Sequence, residues 1–236
     1  MVKILVADYD NTFYTDENQL YKNIECIKEF QDNGNLFVIS TSRSWKSMKK
    51  EIDTYDIPFD YLCCNTGGSI FDHDGDLLYM GNVDDNILNR TENILSKYYD
   101  EDYSVTRYGI YKEYDEKIDK LLGYKIKGDK TKLEKLKDIL ENDLDKDFQV
   151  VLKNEKDYSK LFLNYKLNTK ENGIEKLIDF LPKNDYKIIT VGDDDVDFNM
   201  IKKYDGYRME NSSDLLNENI DKKVGSVFEL VELNLS

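Results

Sequence analysis

The chain has 236 residues, enough for one large domain or two modest ones. At that size it buries roughly 70% of its unfolded surface without disulfides or a structural metal. It carries 48 Asp and Glu against 33 Lys and Arg, and the net charge of -15 opposes binding to nucleic acid or an anionic membrane. Three cysteines are too few for a disulfide framework, and a lone histidine, His73, excludes histidine-cluster zinc sites. No run reads as a signal peptide or a membrane span, so a reduced, cytoplasmic protein is expected.

Along the chain, Val2-Lys3-Ile4-Leu5-Val6-Ala7 is an apolar, β-branched run bounded by turn formers and reads as a buried strand. It ends in Asp8-Tyr9-Asp10-Asn11-Thr12. Ile24, Ile27 and Phe30 mark one face of a helix from about Glu17 to Asn33, ended by Gly34. Leu36-Phe37-Val38-Ile39 is a second strand leading into Ser40-Thr41-Ser42-Arg43. A helix near Trp45 to Asp53 and a third strand, Tyr61-Leu62-Cys63-Cys64, follow. This βαβαβ rhythm argues for a parallel sheet with helices on its faces.

The rhythm then breaks. Asn65-Thr66-Gly67-Gly68 reads as a turn, and Ser69 to Met80 as a hairpin around Asp74-Gly75. A Lys-, Asp- and Tyr-rich insert follows, with helices suggested by Ile87, Leu88, Ile94 and Leu95 and by Leu133, Leu136, Ile139 and Leu140. Short strands near 121–126, 148–152 and 161–165 complete an α+β pattern. The α/β pattern resumes with a helix at 170–180 and the strand Tyr186 to Val191, which runs into Gly192-Asp193-Asp194-Asp195-Val196-Asp197. The expected organisation is a core of 1–81 and 161–236 interrupted by an α+β domain at 82–160.

Asp8 and Asp10 carry the first chemical signal. They stand at the carboxyl end of a buried strand, where open α/β sheets bind ligands. Two carboxylates this close repel unless a cation lies between them. The pair suits phosphoryl transfer, with one carboxylate as nucleophile and the other moving the proton beside a magnesium ion. A bare Asp-x-Asp is common in so acidic a chain, recurring at Asp72, Asp74 and Asp76, at Asp100 and Asp102, and at Asp143, Asp145 and Asp147. The apolar run that precedes Asp8 and Asp10 is absent from those three recurrences. The Asp72–Asp76 run is not an EF-hand loop, because its glycine falls fourth rather than sixth.

Other polar residues at element ends can join them: Thr12, Thr41 with Ser40 beside it, Lys170, Asp193 and Asp197. Each has a plainer reading. Thr12 or Thr41 can cap a helix, Lys170 can be a solvated surface lysine, and Asp194 and Asp195 can cap the helix that follows.

The order and spacing of these residues resembles the haloacid dehalogenase superfamily, in particular its Cof-type phosphatases. The family's Asp-x-Asp-Gly-Thr appears as Asp8-Tyr9-Asp10-Asn11-Thr12, and its Thr-Gly-Arg as Thr41-Ser42-Arg43. Lys170-Glu171-Asn172-Gly173-Ile174 stands for Lys-Gly-x-Ala-Leu. Gly192 to Met200 stands for Gly-Asp-Gly-x-Asn-Asp-x-x-Met, with Asp194 for a glycine and Val196 for the asparagine. Asn65 to Gly68 and Met209-Glu210-Asn211-Ser212 resemble two further branch elements.

The resemblance implies a Rossmann-like parallel-sheet core with an inserted α+β cap whose closure excludes water. It implies a magnesium-dependent phosphatase of small phosphorylated metabolites, sugar phosphates foremost. Asp8 would attack phosphorus and become an aspartyl-phosphate, while Asp10 protonates the leaving oxygen and later takes a proton from water. Thr41 and Lys170 would hold the phosphoryl oxygens, with Thr12, Ser42, Arg43 and Asn211 in the phosphate-binding set. Mg2+ would be bound by Asp8, the Asp10 carbonyl and Asp193, with Asp197 completing or supporting the site. A free carboxyl ionises near pH 4, too low for a good acid at neutral pH, so Asp10 is expected to be buried and crowded by anions. Rival readings are a phosphomutase, a receiver-like phospho-switch and a metal-binding pseudoenzyme. The sequence names no oligomeric partner.

Overall fold

The computed structural model describes residues 1–98, 103–109 and 121–235. The chain divides into two compact units, Met1–Tyr79 with Thr169–Ser236, and Met80–Asn168. Asp100 and Asp102 lie outside the described residues.

The first unit begins with β1 (Val2–Ala7), α1 (Glu17–Asp32), β2 (Leu36–Ser40), α2 (Trp45–Tyr55), β3 (Tyr61–Cys64), β4 (Ser69–Asp72) and β5 (Leu77–Met80). The second unit holds α3 (Asp85–Leu95), β6 (Ser104–Tyr108), β7 (Gly123–Gly128), α4 (Lys130–Leu144), β8 (Phe148–Asn154) and β9 (Ser159–Tyr165). The chain then returns with α5 (Lys170–Phe180), β10 (Tyr186–Gly192), α6 (Phe198–Lys203), β11 (Tyr207–Met209), α7 (Asp214–Asn219), β12 (Lys223–Val224) and α8 (Val227–Leu235).

The core sheet runs β12-β11-β10-β1-β2-β3-β4-β5. Pairing is parallel from β12 to β3, and β4 turns back antiparallel on β3. β1 is central and buried on both faces from Ile4 to Ala7, which explains the unbroken apolar run over those four residues. Helix α1 starts where the Asp16 side chain caps the amide of Gln19 and packs Leu20, Ile24, Ile27 and Phe30 inward at helical spacing. Each such side chain contributes about 1.5–3 kcal/mol on burial. Gly34, at φ 78°, lets the chain turn back into β2.

The Asp72–Asp76 run is a hairpin turn: Asp72 Oδ1 accepts from the amides of Asp74 and Asp76, and Gly75 takes φ 86°. Trp45 stacks on Phe71 nearby, with ring centroids 4.3 Å apart. Cys26, Cys63 and Cys64 are all free and buried, and burial pushes the Cys63 thiol up to about 12. Among the described residues no helix is long and apolar enough to cross a membrane.

The second unit is an antiparallel sheet, β6-β7-β9-β8, packed against α3 and α4 around Tyr124, Leu136, Leu140, Phe148, Leu161 and Leu163. Its strand β9 alternates buried and half-buried residues as far as Tyr165, paired along its whole length with β8. A boundary at 160/161 would cut that ladder, and the division falls instead between Asn168 and Thr169. Strand β6 escapes the sequence reading because Ser104-Val105-Thr106-Arg107-Tyr108 holds one aliphatic residue. Its ladder with β7 supplies what periodicity does not show.

Candidate active site at the carboxyl edge of the core sheet

Register places the chemistry. Ala7 pairs with Val191 on one side and Ile39 on the other, so the residues that follow β1, β10 and β2 emerge along one edge. Asp8 extends the ladder by donating its amide to Val191 O at 3.0 Å.

The chain then curls back, with amides of Phe13 and Tyr14 bonded to the carbonyls of Asp8 and Tyr9. The curl requires a left-handed residue, and Asn11 supplies it at φ 60°. Asparagine tolerates that conformation better than most side chains, so the exchange of glycine for Asn11 is accommodated. Asp194 sits at φ -113°, where glycine's freedom is not needed, and caps the turn at Asp195–Asp197.

Lys170 is the first residue of α5 and only 1% exposed. Its ammonium lies 2.5 Å from Asp8 Oδ1 and 2.5 Å from Asp197 Oδ1. Asp197 Oδ2 accepts from the amides of Asp193 and Asp194 at 3.0 and 3.1 Å, so both oxygens of this fully buried carboxylate are engaged. Gly192 makes the room: a Cβ there would lie 2.4 Å from the Asp197 carboxyl carbon. Thr12 donates to Asp193 Oδ1 at 2.6 Å. Oδ2 of Asp8 and of Asp193 accept no hydrogen bond among the described residues.

Asp8, Asp193 and Asp197 offer carboxylate oxygens within 4.8 Å of one another. With all three ionised and Lys170 protonated, an excess of two negative charges is left in the cluster. Removal from water pushes the Asp8 carboxyl up to about 8; Lys170 opposes that, and Asp197 and Asp193 add to it. Asp193 is also shifted up, by burial first and then by Asp197 and Asp194, against the Thr12 hydrogen bond and Lys170. Lys170 itself is driven up by Asp197 and Asp8 against burial and stays an ammonium. An all-oxygen donor set with excess negative charge fits a hard divalent cation such as Mg2+.

Asp10 stands apart from this cluster. It is not buried: its side chain is 50% exposed, and both oxygens accept from Arg43, Nε at 2.8 Å and the terminal nitrogen at 2.6 Å. The curl that follows β1 turns alternate side chains to different sides, which is why Asp8 faces Lys170 and Asp10 faces Arg43. Arg43, expected at substrate phosphate, is bound to Asp10, to Glu51 at 2.9 Å and over the Tyr9 ring at 4.9 Å.

Thr41 is buried, and its hydroxyl accepts the Arg43 amide at 3.1 Å; the N-cap position of α2 is Ser44, whose side chain makes no capping hydrogen bond, and not Thr41. Ser40 is fully buried with no partner for its hydroxyl among the described residues. Ser42 accepts from the Thr66 hydroxyl at 3.2 Å. Asn211 is exposed on a loop that is tied to the site by the Ser213 amide donating to Asp193 O at 2.8 Å. Val196 is 40% exposed. In the second unit, Arg107 is paired with Glu92, and Tyr108 donates to Asn164.

Sequence reasoning misses Glu51 and Tyr9, which brace Arg43, and the role of Asn65-Thr66-Gly67-Gly68. That turn has three consecutive residues at positive φ: Asn65 at 52°, Thr66 at 56° and Gly67 at 84°. It is bonded to the β2–α2 loop through Asn65 N to Arg43 O and Thr66 N to Thr41 O. A Cβ at Gly67 would lie 2.1 Å from Thr169 O, and one at Gly173 would lie 2.7 Å from Gly67 Cα. The two glycines let the turn press against the start of α5, which delivers Lys170. Their signal in the sequence is a Gly three residues into a helix that pays no visible dividend there.

The model of the haloacid dehalogenase-like hydrolase family matches this chain over residues 5–109 and 85–227. The chain belongs to that family. The chain is 38% identical over 93 residues to an uncharacterized protein of Mycoplasma capricolum subsp. capricolum, a match covering 37% of this chain and 35% of that protein. The fold is similar to that of a haloacid dehalogenase-like hydrolase from B. subtilis, at 18% identity and TM-score 0.73, covering 99% of this chain and 98% of the other. It is also similar to a phosphatase of the haloalkanoate superfamily from Bacteroides thetaiotaomicron, at 17% identity and TM-score 0.69, covering 99% and 94%. This family member therefore has a parallel-sheet hydrolase core and an Asp triad, buried at Asp8 and Asp197 and half-buried at Asp193, that can hold a metal.

Proposed function

We propose that this hydrolase is a magnesium-dependent phosphatase of small phosphorylated metabolites, with sugar phosphates as the first class to test, and that it works through an aspartyl-phosphate on Asp8. The observation that carries the reading is the buried Lys170 held between Asp8 and Asp197, with Asp193 completing the acidic cluster. A cationic side chain there neutralises charge on Asp8 and on an incoming phosphoryl group. Unaided phosphate monoester hydrolysis is slow enough that enzymes accelerate it up to ~10²¹-fold. Charge neutralisation and positioning meet most of that demand.

Asp8 and Asp193 would hold the magnesium ion, which when bound supplies further neutralisation of the phosphoryl oxygens. Asp197, with both oxygens engaged, supports Lys170 and the Asp193 backbone. An oxygen of Asp8 attacks phosphorus, the ester oxygen departs, and Asp10 supplies its proton. Water then attacks the phosphorus of the acyl phosphate and passes a proton to Asp10, and the bond to Asp8 breaks. Thr41 and Lys170 are the side chains assigned to phosphoryl oxygens.

A panel of phosphate esters, assayed with and without MgCl2 beside Asp8→Asn, tests the reading. Magnesium-dependent phosphate release by the natural chain and none by Asp8→Asn is expected. Equal release by both removes Asp8 from its role, and label passing to a second sugar hydroxyl rather than to water assigns a mutase instead.

A further inference from the structure

Arg43 is held from three directions besides Asp10. Its second terminal nitrogen donates to Glu51 Oε1 at 2.9 Å, its guanidinium carbon lies 4.9 Å over the Tyr9 ring, and its amide is bonded to Thr41 Oγ1. Glu51, on α2, also accepts from the Tyr9 hydroxyl at 3.2 Å through its other oxygen. Tyr9 is fully buried between the two catalytic carboxylates in sequence, so its hydroxyl is fixed by the same curl that orients Asp8 and Asp10.

From this geometry we infer that Glu51 is a positioning residue: with Tyr9 it locks the Arg43 fork, and the fork fixes the direction in which Asp10 accepts a proton. The inference rests on the phosphatase reading above and concerns its second half. An arginine fork bonded to both oxygens of a carboxylate sets its plane as well as its distance, and each oxygen keeps a further lone pair for water. In that half-reaction, water oxygen bonds to phosphorus, the phosphorus–Asp8 bond breaks, and the water proton goes to Asp10. A guanidinium without Glu51 can swing about its long stem and carry Asp10 with it, since the Asp10 side chain is 50% exposed and has little else to hold it. Placement errors of about 1 Å in a reacting group lower rates by ~10²-fold.

The test separates the two half-reactions in the magnesium-loaded full chain. Phosphoenzyme is formed with labelled p-nitrophenyl phosphate, whose leaving group needs no proton, and its decay is followed by rapid quench after a chase of unlabelled substrate. Glu51→Ala is expected to slow decay at least tenfold while formation changes less than twofold. Glu51→Gln, which keeps an oxygen for Arg43, recovers part of the loss. Tyr9→Phe removes one hydroxyl without disturbing packing and slows decay about threefold. Unchanged decay in Glu51→Ala overturns the inference, as does slowing of formation and decay by the same factor, which marks a general structural effect. A natural chain that never forms phosphoenzyme overturns the phosphatase reading and this inference together. A natural chain that turns over normally beside an indifferent Glu51→Ala overturns this inference alone.

Discussion

Lys170 and Asp8 stand 162 residues apart in the chain, yet the lysine ammonium lies 2.5 Å from the aspartate oxygen, and both residues are buried. The lysine also serves Asp197, so a single buried cation balances part of the charge of two carboxylates. Removing Lys170 leaves the fully buried Asp197 carboxylate without its cation, a change that costs about 3–5 kcal/mol because the remaining charge is stranded. Lys170→Met is therefore expected to lower stability by about that amount in urea unfolding, and added MgCl2 to recover part of it. A loss below about 1 kcal/mol would contradict the arrangement.

The pH dependence of stability follows from Asp8. Its carboxyl ionises at the ordinary 3.8 in the unfolded chain but near 8 in the metal-free fold. Between those values the native state binds the extra proton, so this group's contribution to stability falls as pH rises across the window. One pKa unit is about 1.4 kcal/mol. Asp8→Asn removes the penalty, and at pH 8 without metal it is expected to be more stable than the natural chain by at least about 1.4 kcal/mol. At pH 4 the two should converge. Magnesium, which binds the ionised carboxylate, should stabilise the natural chain more at pH 8 than at pH 5 and leave Asp8→Asn nearly unaffected.

Thr12 donates to Asp193 and so aims its free oxygen. Outer partners of this kind typically contribute 10–100-fold to metal affinity. Thr12→Val should weaken Mg2+ binding by roughly that factor in calorimetry with little change in fold. Affinity equal to that of the natural chain would show that Asp193 needs no orienting group.

Gly67 combines φ 84° with a backbone oxygen 2.1 Å from where a Cβ would sit. Gly67→Ala therefore forces the turn off the start of α5 and is expected to lower stability by about 1–3 kcal/mol, with a larger fractional loss of activity through displacement of Lys170. Undiminished stability and activity would show that the turn relaxes without moving the helix.

Much of this is legible in the residues alone, for identifiable reasons. Strand β1 reads clearly because it is buried on both faces, and a parallel sheet then carries Asp8 and Asp193 to the same edge. The late elements β11, β12, α7 and α8 do not read, since they are short and are specified by pairing with distant neighbours. Asp10 misleads because neighbours in a curled segment face different surroundings: Asp8 is 7% exposed while the Asp10 side chain is half exposed. Lys170 looks like any lysine of a Lys-rich chain, because the burial of its helix start comes from distant partners, the Gly67–Gly173 contact among them. Glu51 lies in the charged helix Trp-Lys-Ser-Met-Lys-Lys-Glu, where nothing local distinguishes it from a solvated residue.

Acid-quench trapping is the most direct test of Asp8 as the phosphorylated residue. The full chain, mixed with MgCl2 and a 32P-labelled monoester, is denatured in acid during turnover and digested, and the labelled peptide is sequenced. Label is expected on the peptide containing Asp8 and absent from Asp8→Asn. Label on another residue, or phosphate release by Asp8→Asn at the natural rate, would contradict it.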